Sequence, residues 1–149
     1  MTALSQLGKP YRFGAEADPD DSNPTEFDCS EFIEWLCGIL GIKPRMPDGS
    51  WNQLAHCREY ESLISVDEAM HTPGALLFCF EGGDPYSGKR PHRAHVAISL
   101  GNGRTIEARN RKHDVCITTA IGRGWTHAAL IPGIRYPVAD ANTPVMLAA

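Results

Sequence analysis

HVAISLGNGRTIEA, residues 95–108, predicts a β-hairpin and therefore an antiparallel sheet. Two runs of alternating apolar and polar or small residues flank a glycine-rich turn, which is typical of half-buried strands. A two-residue turn would place the carboxylate of Glu107 on the apolar face. A three-residue loop, Gly101 to Gly103, with Gly103 in the left-handed conformation, pairs Ala97 with Glu107 and aligns both apolar faces. We therefore expect the three-residue loop.

This register brings two chemically active side chains together. His95 and Glu107 become diagonal neighbours on one face, about 7–8 Å apart at the backbone. A carboxylate bound to one ring nitrogen of an imidazole fixes the tautomer and raises the basicity of the other nitrogen. Taken singly, each residue is better explained as an ordinary strand residue. Their shared face favours a general base with its orienting group.

The remaining patterns place helices before strands. Helices are predicted at residues 2–7, 29–40 and about 51–58. Strands are predicted at residues 75–80, 95–100, 104–108, 114–120 and 128–136. This order predicts an α+β fold, with N-terminal helices packed on a five- to six-stranded antiparallel sheet or small barrel. We expect one domain over residues 1–137 and a loosely held C-terminal tail over 138–149.

Cys29 lies in EFDCSEFIEW, residues 26–35, and has four possible roles. It can be a buried apolar residue, a metal ligand, half of a disulfide or a nucleophile. The chain has five cysteines, an odd number, and no CxxC pair, which disfavours a zinc site or a disulfide framework.

The predicted start of the second helix gives Cys29 a special environment. Asp28 is expected to cap this helix, with Glu31 completing a capping box. Unpaired backbone N–H groups and the helix dipole stabilise a thiolate in the first turn. Cys29, His95 and Glu107 would then supply a nucleophile, a base and a group that orients the base.

Composition excludes several other classes of protein. The 149 residues carry a net charge of −4, which disfavours a nucleic-acid binder. No apolar run approaches the roughly 18 residues of a membrane span, and MTALSQLGKPY at the start does not read as a signal peptide. Residues 13–42 contain no Lys or Arg, whereas seven of the fourteen basic residues lie between 89 and 112. These two runs are either solvated surface or the oppositely charged rims of a cleft.

Metal and cofactor binding are not expected. The acidic loop before Cys29 has carboxylates at Asp18 and Asp20, but it lacks the glycine and the bidentate glutamate of a calcium loop.

Five segments, in this order, resemble the NlpC-type family of cell-wall cysteine peptidases, compact relatives of the papain fold. They are LGKPYRFG (7–14), DCSEF (28–32), PRMPDGSWNQ (44–53), TPGALLF (72–78) and HVAISLGNGRTIEA (95–108). The resemblance implies that Cys29 is the nucleophile, His95 the general base and Glu107 the third polar residue, a position that is often His and sometimes Asn, Gln or Glu. It implies that Tyr11 lies beside the active site. It also implies substrate-binding roles for Asp28, Ser30, Arg45 and Gln53.

The chain departs from the family pattern in three places. Glu31 replaces a usual glycine, Ala75 replaces a common aspartate, and the acidic loop between Tyr11 and Cys29 is longer than usual. These departures concern the fit of the substrate and leave the three reacting groups in place.

The substrates implied are the stem peptides of bacterial peptidoglycan, cut between γ-D-glutamate and the diamino acid. These peptides carry free carboxylates, which the basic run Lys89 to Arg93 could receive, with Arg93 as a further substrate-binding residue; the other interpretation of this run is a solvated loop. We expect action on the wall outside the cytoplasm, by a phage tail-associated or endolysin-like enzyme with other virion tail proteins as partners. The alternatives are an amidase or acyltransferase with the same triad, or a catalytically idle structural tail module.

Overall fold

The computed structural model describes residues 2–137. The tail predicted for residues 138–149 lies outside the described residues, and the domain boundary at 137 stays a prediction. One 3₁₀ turn, Leu4–Gln6, is followed by three α-helices and six strands. The helices are α1 (Cys29–Ile39), α2 (Ser50–Glu59) and α3 (Val66–Met70). The strands are β1 (Leu63–Ile64), β2 (Leu76–Glu81), β3 (Arg93–Ser99), β4 (Arg104–Ala108), β5 (Val115–Thr119) and β6 (His127–Ala129).

The strands form one open antiparallel sheet in the order β1-β6-β2-β3-β4-β5. The predicted α+β fold with helices on an antiparallel sheet is therefore confirmed. The alternative of a small barrel is wrong, because β1 and β5 lie at opposite edges and each pairs on one side only within residues 2–137.

The hairpin has the predicted register. Ile98 lies opposite Ile106 and Ser99 opposite Thr105, which is the register that sets Ala97 against Glu107. The Leu100 N–H donates to the Arg104 carbonyl at 2.8 Å and closes a three-residue loop. Gly103 has a φ of +75°, a conformation that side chains disfavour.

Helix α1 packs on the face of the sheet that carries Val96 and Ile98. Phe32 and Ile33 of the helix are fully buried against it, and each such side chain stabilises the fold by about 1.5–3 kcal/mol. Trp35 is also buried, because its indole N–H donates to the Asp21 carbonyl and its ring packs on Phe27. The acidic loop before α1 therefore covers part of the helix.

Three local predictions differ from the structure. The strand predicted at 128–136 is only His127–Ala129, because Pro132 cannot donate to a ladder and Gly133 turns the chain at a φ of +93°. The N-terminal helix is a single 3₁₀ turn. The capping box is half formed: Asp28 caps Glu31, but the Glu31 carboxylate accepts from the N–H of Ala17 at 2.8 Å. Within residues 2–137, no helix is long and apolar enough to cross a membrane.

Candidate active site

The His95 imidazole and the Glu107 carboxylate meet as the register predicts. The distance from His95 Nε2 to Glu107 Oε1 is 3.0 Å. The two residues lie just beyond the paired part of the β3–β4 ladder. Glu107 is fully buried, and its carboxylate also accepts from the Thr105 hydroxyl and from the guanidinium of Arg123. A buried carboxylate with this many donors is held in one orientation.

The two titrating groups stabilise each other as an ion pair. Burial by itself raises the pKa of Glu107, but hydrogen bonds from His95, Arg123 and Thr105 outweigh it and lower that pKa to about 2. Burial lowers the pKa of His95, but interactions with Cys29 and with Glu107 outweigh it and raise that pKa to about 9. At neutral pH the pair is therefore an imidazolium and a carboxylate.

Cys29 is the first residue of α1 and carries a free, half-buried thiol. The preceding residue, Asp28, accepts hydrogen bonds from the backbone N–H groups of Glu31 at 2.9 Å and Gly14 at 3.2 Å. The Ser30 hydroxyl lies 3.3 Å from the same carboxylate. Because Nε2 of His95 is bound to Glu107, Nδ1 is the ring nitrogen left to exchange a proton with the thiol. The predicted contact between His95 and Glu107 is present in the fold, whereas the catalytic roles of Cys29, His95 and Glu107 stay a prediction.

Tyr11 is held beside this thiol by a short backbone bridge. The Arg12 N–H donates to the Phe27 carbonyl at 3.0 Å, and the Phe27 N–H donates to the Pro10 carbonyl at 3.1 Å. Burial, together with the charges of Cys29 and Asp28, raises the pKa of Tyr11 to about 12. Its hydroxyl is therefore protonated at neutral pH and can donate a hydrogen bond.

A cleft of about 190 Å³ opens at Cys29. Tyr11, Asp28 and Ser30 contribute to its lining, and so do Asp48, Trp51 and Arg90. Carboxylates and a guanidinium therefore border the same cleft, as expected for rims of opposite charge.

Comparison with known proteins shows the family to which the chain belongs. A sequence model of the NlpC/P60 family matches residues 8–133. The chain belongs to the NlpC/P60 family. The resemblance seen in the sequence is thereby confirmed, over most of the chain.

Two curated NlpC/P60 relatives show how much of a longer protein the chain matches. The chain is 31% identical over 123 residues to the "Probable endopeptidase p60" of Listeria innocua serovar 6a, which covers 83% of this chain and 21% of that protein. It is 28% identical over 122 residues to the murein DD-endopeptidase MepH of Escherichia coli, which covers 82% of this chain and 39% of that protein. The chain thus spans about a fifth of the length of the Listeria relative.

Solved NlpC/P60 structures share the fold. The peptidoglycan hydrolase RipB of Mycobacterium tuberculosis superposes with a TM-score of 0.65 at 26% identity, over 91% of this chain and 62% of that chain. The P60 domain of an antigen from M. avium subspecies paratuberculosis gives a TM-score of 0.62 at 28% identity, over 87% of this chain and 89% of that chain. The proteins named here are endopeptidases, peptidoglycan hydrolases or domains of the same family.

Three residues predicted to bind substrate, Arg45, Gln53 and Arg93, do not line the cleft. Gln53 is fully buried, and its amide nitrogen donates to the carbonyls of Ser30 and Pro47, each at 3.0 Å. Arg45 is 70% exposed, with its guanidinium 3.7 Å from Glu34. Gln53 therefore ties the start of α1 to the loop before α2.

Arg93 is not among the residues that line the cleft. Arg93 is 61% exposed and pairs with the exposed Glu81 at 3.4 Å. Arg90, from the same basic run, lines the cleft instead. Its guanidinium donates to the carbonyls of Pro91 and His92 and forms no ion pair with a carboxylate among residues 2–137.

Glu31, the departure from the NlpC/P60 pattern, does not obstruct the cleft. It is 95% buried, since only 5% of its surface is exposed, and it holds Ala17 of the long acidic loop. Burial, with the nearby Glu34 and Asp48, raises the pKa of Glu31 to about 9, so that it carries a proton at neutral pH. Glu31 therefore fastens the acidic loop to α1 through the N–H of Ala17.

Acidic side chains cluster around Glu31 and not at Asp18 and Asp20, the positions compared with a calcium loop. Oxygens of Glu31, Glu34 and Asp48 lie within 4.8 Å of one another, whereas Asp18 and Asp20 belong to no such group in residues 2–137. The raised pKa of Glu31 places a proton on this carboxyl group at neutral pH, which lowers the repulsion among the three side chains.

Two residues of the site were missed by sequence reasoning. Arg123 binds Glu107, and Trp125 stacks on His95 with ring centroids 6.0 Å apart. Both lie in IGRGWT, residues 121–126, a glycine-rich connection without periodic pattern. No sequence signal indicated these contacts, because the predicted register placed Glu107 on the face opposite the apolar one, where burial was not expected.

Proposed function

We propose that this NlpC/P60 chain is a cysteine endopeptidase that cuts the stem peptides of bacterial peptidoglycan, with Cys29 as nucleophile, His95 as general base and Glu107 as the group that orients the base. The observation that carries the proposal is the 3.0 Å contact between His95 and the buried Glu107, next to a free thiol at a helix N-terminus. This is the arrangement of an activated nucleophile, its base and an orienting group.

The proposed mechanism has two half-reactions, the formation of a thioester on Cys29 and its hydrolysis. The thiolate of Cys29 attacks the scissile carbonyl, and the backbone N–H of Cys29 stabilises the oxyanion, with the Tyr11 hydroxyl as a second donor. The His95 imidazolium gives its proton to the leaving amine, which breaks the peptide bond and leaves a thioester. Neutral His95 then takes a proton from water, which hydrolyses the thioester and regenerates the thiolate and the imidazolium.

The cleft supports a substrate with an amine and a carboxylate. Asp28 and Ser30 are suited to a free amine, because a carboxylate and a hydroxyl accept its hydrogen bonds. Arg90 is suited to a carboxylate, because its guanidinium has no carboxylate partner among the described residues. A stem peptide that begins with a free amine and carries the α-carboxylate of γ-D-glutamate meets both requirements. We therefore propose cleavage between γ-D-glutamate and the diamino acid.

Digestion of purified peptidoglycan tests the proposal. Wild type should release fragments with a new C-terminal γ-D-glutamate, and Cys29→Ala should release none. His95→Ala should be inactive, whereas His113→Ala, in an exposed turn, should match wild type. No release by wild type would contradict the enzyme. New amino groups at the junction between sugar and peptide would indicate an amidase instead. The same proposal extends to a tail-associated or endolysin-like role, which detection of the chain in purified virions would test.

A further inference from the structure

The connection between β5 and β6 contacts both members of the His95–Glu107 pair. From this connection Arg123 reaches Glu107 with both terminal nitrogens, Nη2 to Oε1 at 2.5 Å and Nη1 to Oε2 at 3.4 Å. Nη1 also donates to the Thr119 carbonyl at 3.2 Å. The Arg123 side chain is only 16% exposed. A guanidinium held by two acceptors on one carboxylate and one main-chain oxygen has a fixed geometry.

Trp125 joins Arg123 to His95 on the other side. The Arg123 guanidinium lies 5.0 Å from the centre of the Trp125 ring. The same ring stacks on His95 with an interplanar angle of 25°. Its indole N–H donates to the Ala120 carbonyl at 2.9 Å. Arg123 therefore touches the orienting carboxylate directly and contacts the imidazole through an aromatic ring that is itself anchored.

We propose that Arg123 is a positioning residue, which fixes the Glu107 carboxylate against Nε2 of His95 and keeps that carboxylate ionised throughout the reaction. The role follows from burial. During turnover His95 alternates between imidazolium and neutral imidazole, so its charge does not balance Glu107 at every step. A buried carboxylate that loses its cation is costly and takes up a proton instead. Arg123 supplies the constant positive charge that the buried carboxylate of Glu107 needs. A neutral residue at position 107 would not need it.

Arg123 also sets how strongly the site holds protons. Arg123 Nη2 and His95 Nε2 both bind Oε1 of Glu107. The guanidinium therefore weakens the attraction between the carboxylate and the imidazolium. Removing a positive charge makes every proton at the site bind more tightly. Both limbs of the pH–rate profile should then move to higher pH when Arg123 is neutralised.

Apart from Cys29, which is a thiolate in the proposed mechanism, the other titratable groups that contact the pair among residues 2–137 carry no negative charge. Cys29 faces His95 from α1. Cys79 lies opposite His95 on β2, and Cys116 lies opposite Glu107 on β5. Burial raises the pKa of both Cys79 and Cys116, so these two thiols are neutral at neutral pH. Thr105 donates to Glu107 without titrating. Arg123 is the fixed cation that contacts this carboxylate among residues 2–137.

Four variants test the inference, which rests on the proposed peptidase function. They are Arg123→Gln, Arg123→Lys, Glu107→Gln and the double variant Arg123→Gln/Glu107→Gln, each assayed on a soluble stem peptide from about pH 5 to about pH 10. Arg123→Gln should lower kcat about tenfold or more with little change in KM, and should move both limbs to higher pH. Arg123→Lys, which keeps the charge, should restore part of kcat and the position of the limbs. In the Glu107→Gln background, Arg123→Gln should cost less than about twofold, because the two residues act as one unit.

An NMR titration of His95 keeps the test decisive without turnover. The pKa of His95 should rise in Arg123→Gln and change less in Arg123→Lys. A lower kcat with unmoved limbs and an unmoved His95 titration would overturn the proposal, and so would additive losses in the double variant. If Arg123→Gln alone does not fold, the double variant is compared with Glu107→Gln, and a further loss in kcat clearly above about twofold refutes the role. If wild type cuts no stem peptide but His95 titrates as expected, the peptidase function fails and the positioning role stands.

Discussion

Replacing Glu107 by glutamine should destabilise the fold far more than an ordinary charge change. The substitution keeps the shape of the side chain but removes the negative charge. It leaves the guanidinium of Arg123, which is 16% exposed, and the imidazole of His95 around a neutral amide. The pKa of Glu107 is lowered from the ordinary 4.5 to about 2. At about 1.4 kcal/mol per pKa unit, the native state favours this carboxylate by about 3 kcal/mol. Loss of one partner from a buried ion pair costs a similar amount.

Chemical and thermal unfolding of wild type and Glu107→Gln measure this effect. For a chain of this length about 3 kcal/mol corresponds to a fall in Tm of about 10 °C. Because the folded-state pKa is lowered, the stabilisation is fully present above pH 4.5 and is lost as the pH falls through about 2. The difference between the two proteins should therefore shrink in acid.

The matched control is Glu81→Gln. Glu81 also pairs with an arginine, at 3.4 Å, but 60% of its side chain is exposed, so its loss should cost less than about 1 kcal/mol. If Glu107→Gln were no more destabilising than this control at pH 7, the network around Glu107 would not have the energy that its burial and its donors imply.

Three further predictions follow from the cleft, the acidic loop and the start of α1. Arg90→Glu should raise KM for intact stem peptides about tenfold or more with kcat little changed. Arg93→Glu, outside the cleft, should leave KM unchanged. If the two variants had equal KM values, Arg90 would not be the residue that binds the substrate carboxylate. The free energy of unfolding of wild type should fall as the pH rises from about 4.5 towards about 9, because Glu31 keeps its proton only when the protein is folded. Glu31→Gln should lose less stability over that range. If the free energies of unfolding of the two proteins changed in parallel with pH, Glu31 would not be protonated in the folded state. Gln53→Leu should destabilise the fold by about 1–3 kcal/mol in urea unfolding, because it leaves the buried carbonyl of Ser30 and the partly buried carbonyl of Pro47 without this donor. A change below about 0.5 kcal/mol would show that these two hydrogen bonds do not stabilise the fold.

The parts of the site that the sequence predicted depend on local patterns. Strand alternation and a left-handed glycine define one hairpin register, and that register places His95 beside Glu107. A capping aspartate next to Cys29 defines a helix start. Each inference needs only neighbours along the chain or across one turn.

The parts that the sequence did not predict depend on distant loops. Arg123 reaches Glu107 from the connection that follows the next strand, β5, and no period in a single sequence encodes such a contact. Arg90 and Arg93 lie three residues apart in one basic run, and only the path of the loop decides which of them lines the cleft. Glu31 was expected to bond its own N-cap, but the long acidic loop offered a buried N–H that it satisfies instead.

We predict that Cys29 forms a thioester with a stem peptide. Rapid quenching of the protein with a peptide that contains L-alanine, γ-D-glutamate and a diamino acid, followed by intact-protein mass spectrometry, tests it most directly. The predicted result is an adduct of the L-alanyl-γ-D-glutamyl group on Cys29 in wild type, with release of that dipeptide over time, and neither adduct nor dipeptide with Cys29→Ala. Release of the same dipeptide by Cys29→Ala would contradict the account.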